Sequence, residues 1–243
     1  MNQARGNWVT AAEAVQAVRS GDMIMVANAC GEPRTLMEAL AGRAAELHGV
    51  RTAAVLVLGR PSYLRREISD SIHHVSLFCS TGTRIAVNEG WGDFMPCFFS
   101  QVPSIIGTHI PADVAFVSVS LPDEDGYCSL GVSVDYSLRA AQVCRTVIAE
   151  VNPTMPRLYG DCMVHVSDID YLVEVDRPVP EVPPSPPTEA ECGAGENVAA
   201  LIDDGSTLQI GIGAMPEVAC SRLKDRRDLG VHSEMISDAV MDL

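Results

Sequence analysis

Glu234 stands in the stretch GVHSEMISDAV (230–240), among a histidine, two serines and a methionine. Earlier the chain reads QIGIGAMPEV (209–218), with Gly211 and Gly213 just ahead of Pro216. Together the two stretches suggest one kind of chemistry. A carboxylate is a weak nucleophile, but it can attack an activated acyl centre when oriented amides stabilise the oxyanion that forms. The glycines let backbone N–H groups approach a ligand with no Cβ in the way. Pro216 starts a helix whose free N–H groups attract anions. Two plainer readings stand beside this one. The glycines fit a tight turn between packed elements, and the dinucleotide fingerprint is incomplete because proline occupies position 216. Glu234 fits equally well as a cap of the next helix, with Ser233 or Ser237 beside it.

The elements around these residues decide whether they can meet. Segment 207–212 reads as a buried strand, the stretch opened by Pro216 as a helix and 229–233 as a second strand. In a β-α-β unit the two strands lie side by side and parallel. Their carboxyl ends then share one sheet edge, where α/β proteins bind ligands. That places the glycine turn and Glu234 as neighbours. His232 reads as a strand-end residue rather than a base.

Other candidates carry less. His73, His74 and His165 have no metal-ligand partners at useful spacing. Eight cysteines are scattered without a C-x-x-C pair and read as buried, reduced thiols of a cytoplasmic protein. The segment GTRIAVNEGWGDFMPCFFSQVP (82–103) reads either as a pocket lining or as an Ω-like loop packed by its own aromatics. A net charge of −15 and no basic stripe argue against nucleic-acid binding. The longest apolar runs, such as MIMVANAC (23–30), fall short of the roughly 20 residues of a membrane span. The amino terminus lacks the apolar core of a signal peptide.

The chain has 243 residues, 47 % hydrophobic and 20 % charged, enough to bury a real core. It opens with a helix at 10–20, whose Thr10 and Glu13 form a capping box. Strand 23–29, a helix opened by Pro33, and strand 51–59 follow. Further strands are expected at 75–80, 114–120, 146–150 and 170–175, a helix at 135–144, and a loop at 121–131. Helices alternating with continuous apolar strands indicate an α/β fold with a mainly parallel sheet. The first domain is placed at 1–177 and a proline-rich connector at 178–187, which holds six of the fifteen prolines. From 188 the pattern of 10–40 restarts: a threonine-led helix, a turn glycine (Gly21, then Gly205), a buried strand and a proline-opened helix. A second α/β domain thus begins at 188–243. Two strands cannot close a core, so either a second polypeptide completes it or the chain is a fragment.

Several stretches resemble the acetyl-CoA hydrolase/transferase family, in its 4-hydroxybutyrate CoA-transferase-like branch. They are ANACGEP (27–33), AVNEGWGDFMPCFFSQVP (86–103), PDEDGYCSLGVSVDY (122–136), EVNPTMPRLYGD (150–161), HVSDIDYLVEVDRPVPE (165–181), LQIGIGAMPEV (208–218) and LGVHSEMISD (229–238). The resemblance implies tandem CoA-transferase-type α/β domains and ping-pong transfer of CoA between short carboxylic acids, in an oligomer. Its glutamate nucleophile maps to Glu234. Its CoA-contacting turn maps to Gly211, Ile212, Gly213, Ala214 and Met215. It implies coenzyme A or acyl-CoA as substrate and no metal or permanently bound cofactor. Relatives in this family are nearly twice as long and usually carry glycine where Ala239 stands. Acyl-CoA hydrolysis on the same residues and a non-catalytic scaffolding subunit are the alternative expectations.

Overall fold

The computed structural model describes residues 6–183 and 185–243. The chain divides into two compact units, one up to Glu181 and one from Val182 onward. The first contains α1 (Ala11–Ala14), β1 (Met23–Val26), α2 (Arg34–Gly42), β2 (Val50–Ala54), β3 (Ile72–Ser76), α3 (Arg84–Asn88), β4 (Asp93–Phe94), α4 (Val102–Ile105), β5 (Val114–Val119), β6 (Tyr127–Ser129), α5 (Ser137–Val143), β7 (Thr146–Val151), β8 (Met163–His165) and β9 (Tyr171–Glu174). The second contains α6 (Glu189–Ala199), β10 (Thr207–Leu208), α7 (Ala214–Ser221) and β11 (Gly230–Val231).

Seven strands of the first unit form one sheet in the order β4-β3-β2-β1-β5-β7-β9. Every pairing in it is parallel. The central strands β1 and β5 are almost wholly apolar because both faces are covered. Met23 and Met25 face one core together with Val117, Ala149 and Val102. Ile24 and Val26 face the other, with Phe116, Ile148 and the α2 residues Leu36, Met37 and Leu40. This alternation is the two-residue period of a strand. Each fully buried side chain of this size contributes roughly 1.5–3 kcal/mol.

Three local expectations are corrected. The strand expected at 75–80 lies at Ile72–Ser76. His74 is buried in the sheet, with Nδ1 bonded to Thr52 Oγ1 at 2.9 Å and Nε2 without a partner among the described residues, so the apolar run that begins at Val75 misplaces the strand. The loop at 121–131 ends in β6, paired antiparallel with β8. Asp123 folds the preceding turn by accepting the N–H groups of Asp125 and Tyr127. Segment 82–103 is not an Ω loop. It forms α3, β4 and the start of α4, and β4 adds a parallel edge strand to β3.

The second unit repeats the opening of the first in hydrogen-bond detail. Thr10 with Glu13 and Thr188 with Glu191 build the same reciprocal capping box. Gly21 (φ 86°) and Gly205 (φ 76°) make the same left-handed turn, which favours glycine. The N–H of Gly21 donates to His48 O at 3.0 Å, and that of Gly205 to Arg227 O at 2.9 Å. Met23 pairs with Arg51 in β1 and β2, as Thr207 pairs with Gly230 in β10 and β11. The later sheet stops at these two strands. Its core is small: Ala199, Leu208, Ile210, Cys220 and Leu223.

Burial of His74 has a pH consequence. Desolvation, aided by the neighbouring His73, lowers its pKa from 6.5 to about 3. The unfolded chain therefore binds a proton below 6.5 that the folded chain refuses. Stability from this group is complete above 6.5 and is lost as pH falls toward 3. Both tryptophans, Trp8 and Trp91, lie in the first unit and report its unfolding. Urea titrations followed by their fluorescence should show a wild-type loss between pH 7.5 and 4.5 that exceeds that of His74→Gln by about 2–3 kcal/mol. Equal losses would remove His74 from the acid sensitivity.

Candidate active site

In the second unit the parallel ladder of β10 and β11 does not end with its last strand pair. His232 N–H donates to Leu208 O at 2.9 Å. One residue further on, a side chain takes over the ladder: Ile210 N–H donates to Ser233 Oγ at 3.0 Å, and Ser233 O–H donates to Ile210 O at 2.9 Å. This hydroxyl fixes the separation of the two chains where they leave the sheet. The next residue on one chain is Gly211, and on the other Glu234. The expected side-by-side strands are thus present, though shorter than 207–212 and 229–233.

Beyond Ile210 the chain turns into α7. Gly213 is the N-cap, at φ 120° and ψ 174°, a conformation that a residue with a Cβ rarely adopts. The helix begins at Ala214, not at Pro216 as the sequence suggests. Pro216 sits inside the first turn, where its missing N–H has no intrahelical partner to lose. Gly211, Ile212, Gly213 and Met215 are exposed and Ala214 is half-buried. No side chain caps the helix.

The matching helix of the first unit shows the contrast. At the start of α2, Leu36 N–H donates to Glu150 Oε1 at 2.8 Å. Glu150 is fully buried in β7, and its Oε2 accepts from Arg177 Nη2 at 2.6 Å. Burial raises the Glu150 carboxyl, while Arg177 and the helix amides pull it down. The first copy thus fills its helix N-terminus with the protein's own carboxylate. In the second copy no side chain among the described residues takes that place. Sequence reasoning missed Ser233's bridging role, Glu150 and Arg177. The one available signal was a lone acid in the otherwise apolar strand TVIAEV (146–151).

Glu234 lies in a bend, exposed, with no hydrogen bond or ion pair among the described residues. It does not cap a helix: the 3-10 turn that follows starts at Asp238, and its N-cap is Ser237. His232 is exposed at the strand end. Elsewhere, His73 Nε2 pairs with Asp93 at 3.1 Å, and His165 bonds Ser167 Oγ at 2.7 Å. All eight cysteines are free, but only Cys128, Cys162 and Cys220 are buried, and the other five are half-buried. Burial pushes the thiols of Cys128 and Cys144 up to about 11 and about 12, so neither is a ready nucleophile. Among the described residues no three His, Cys, Asp or Glu side chains converge as metal ligands. No helix among them is long and apolar enough to cross a membrane.

Residues 3–183 match the model of the acetyl-CoA hydrolase/transferase N-terminal domain. The chain belongs to the acetyl-CoA hydrolase/transferase family. It is 45 % identical over 236 residues to the 4-hydroxybutyrate coenzyme A transferase of Clostridium kluyveri, covering 97 % of this chain and 55 % of that protein. Among solved structures it is similar to RipA from Yersinia pestis, with a TM-score of 0.92 and 33 % identity over 98 % of this chain and 58 % of that one. It is also similar to the 4-hydroxybutyrate CoA-transferase of Porphyromonas gingivalis, with a TM-score of 0.84 and 34 % identity over 97 % of this chain and 56 % of that one. The chain spans about half the length of the curated relatives it matches. The tandem α/β architecture with a mainly parallel sheet agrees with these neighbours. The family match ends at 183, ahead of the glycine turn and Glu234.

Removing the bridge should loosen the site without touching its charged groups. Ser233→Ala loses two hydrogen bonds, each worth about 1 kcal/mol. Amide exchange in 208–212 and 230–236 should rise about thirtyfold, with β5 and β7 unchanged. Unaltered exchange there would mean that the two chains are held by something other than Ser233.

Proposed function

We propose that this chain carries the nucleophile of a CoA-transferase that moves CoA between short-chain carboxylic acids of the 4-hydroxybutyrate, acetate and butyrate type. The observation that carries the reading is the Ser233 bridge. It brings Glu234 to the same sheet edge as an uncapped helix N-terminus, in a chain of this family.

A Glu234 carboxylate oxygen attacks the thioester carbonyl carbon of acyl-CoA. The oxyanion that forms is stabilised by N–H groups of the Gly211–Met215 turn. Collapse expels CoA thiolate and leaves an acyl-glutamyl anhydride. The thiolate then attacks the Glu234 carbonyl of that anhydride, releasing the first acid as its carboxylate and leaving a glutamyl-CoA thioester. An incoming carboxylate repeats these steps in reverse and departs as the new acyl-CoA. The thioester's free energy is kept throughout because each intermediate is itself an activated acyl group. Coenzyme A enters as substrate, and the scheme needs no metal or permanently bound cofactor.

The exposure of Glu234 also supports a second reading, hydrolysis. Water that reaches the anhydride or the glutamyl thioester would end the cycle as free acid and free CoA. A partner polypeptide that extends the β10–β11 sheet would exclude that water. We assign such a partner, in a homo- or hetero-oligomer, to the working cytoplasmic enzyme. Two strands over five buried side chains form a small core by themselves.

The test joins the chain to a polypeptide that carries the remaining half of its relatives' length. Glu234→Ala and Glu234→Gln should each reduce CoA exchange between butyryl-CoA and acetate by at least roughly 10³-fold. A wild-type rate in either variant sinks the proposal. CoA release without an acceptor acid, at the same rate as with one, would select hydrolysis.

A further inference from the structure

The proposed reaction passes through two attacks on the carbonyl of Glu234 itself. CoA thiolate attacks the anhydride, and an incoming carboxylate attacks the glutamyl-CoA thioester. Each attack throws negative charge onto a Glu234 side-chain oxygen, which calls for a donor aimed at that oxygen. The N–H groups of the Gly211–Met215 turn already serve the oxyanion of the substrate carbonyl. Among the described residues Glu234 has no hydrogen bond. Its neighbour Ser233 is committed: the oxygen accepts from Ile210 N–H, and the proton goes to Ile210 O.

Ser237, three residues beyond Glu234, is uncommitted. Its Oγ is buried and has no hydrogen-bond partner among the described residues. The residue is the N-cap of the 3-10 turn at Asp238–Asp242, with φ −109° and ψ 170°, yet its side chain makes no capping bond. Capping would not satisfy the group in any case. A cap uses the oxygen as an acceptor and leaves the hydroxyl proton without a partner. A buried donor without an acceptor is costly. The turn that carries this hydroxyl is seated, because Ala239 and Val240 pack against the core of the second unit. Glu234 is exposed in a bend, with no hydrogen bond or ion pair among the described residues to fix its carboxyl elsewhere.

We propose that Ser237 is a second catalytic residue, whose hydroxyl donates to a Glu234 side-chain oxygen. The assignment rests on Glu234 as the nucleophile. Before acylation the bond holds one carboxylate oxygen and leaves the other to attack acyl-CoA. In the glutamyl-CoA thioester it polarises the carbonyl. The oxygen of the incoming carboxylate bonds to Glu234 Cδ, and the carbonyl electron pair moves onto the oxygen that Ser237 holds. Return of that pair breaks the C–S bond and expels CoA thiolate. The hydroxyl proton stays on Ser237 throughout. The bond strengthens as charge develops on the held oxygen, so its loss acts on kcat rather than on substrate binding.

Kinetics of the completed protein with butyryl-CoA and acetate test this in Ser237→Ala, Ser237→Cys and Ser237→Thr. Cysteine keeps the size of the side chain and donates only weakly. The Ala and Cys variants should each lower kcat about 10²-fold, the loss of one oxyanion donor, with KM for butyryl-CoA unchanged. Thr should restore most of the rate. Protein quenched during turnover should carry CoA on Glu234 in a larger fraction of molecules than wild type, read from the 230–240 peptide by mass spectrometry. Attack of a carboxylate on the thioester slows more than attack of a thiolate on the more reactive anhydride. A wild-type kcat in Ser237→Cys, in a protein that Glu234→Ala inactivates, overturns the role of Ser237 and leaves Glu234 as the nucleophile. A lowered rate with no rise in the thioester also overturns it, since a displaced segment slows both halves of the cycle. Activity retained in Glu234→Ala removes both assignments together.

Discussion

One hydroxyl group holds the candidate site together. Ser233 Oγ accepts from Ile210 N–H and donates to Ile210 O, two strand positions past the last regular pair of β10 and β11. A two-stranded sheet of two residues each has little cohesion of its own. The small core beneath it is built on Leu208, Ile210 and Cys220, with Ala239 and Val240 packed against it. The serine extends the ladder by a side chain where the backbones diverge into different turns. The placement of Gly211 and Glu234 at one edge depends on it, and so does the use of the α7 amides near that carboxylate.

The repeated unit shows how one local fold serves two ends. Both copies begin with a threonine–glutamate capping box, turn at a left-handed glycine and pair their strands in the same register. They part at the helix that follows. In the first copy Glu150 enters from a neighbouring strand, binds the helix amides and is held by Arg177. Removing Arg177 would leave a fully buried carboxylate without its countercharge, which is strongly destabilising. Among the described residues the second copy has Gly213 in the corresponding turn and no side chain capping its helix.

Much of this was legible in the sequence where the causes are local. The strands at Val114–Val119 and Thr146–Val151 match their apolar runs within a residue, and the Thr10 box announces its helix. The repeat showed in the Gly21 and Gly205 turns. What escaped depends on partners far along the chain. Glu150 meets Leu36 across 114 residues, and His74 meets Thr52 on the neighbouring strand. The strand β4 owes its existence to the adjacent edge of β3, not to its own two residues. Spacing brought Glu234 near the glycine turn but could not choose between nucleophile and cap. The resemblance to a family raised the first, and the structure, with no helix start at Glu234, removes the second.

The central claim is that Glu234 becomes covalently acylated. Incubating the completed protein with butyryl-CoA, trapping with borohydride or hydroxylamine and mapping the peptides tests it directly. The account predicts modification of the 230–240 peptide at Glu234, dependent on acyl-CoA. An unmodified 230–240 peptide in protein that is exchanging CoA would contradict it.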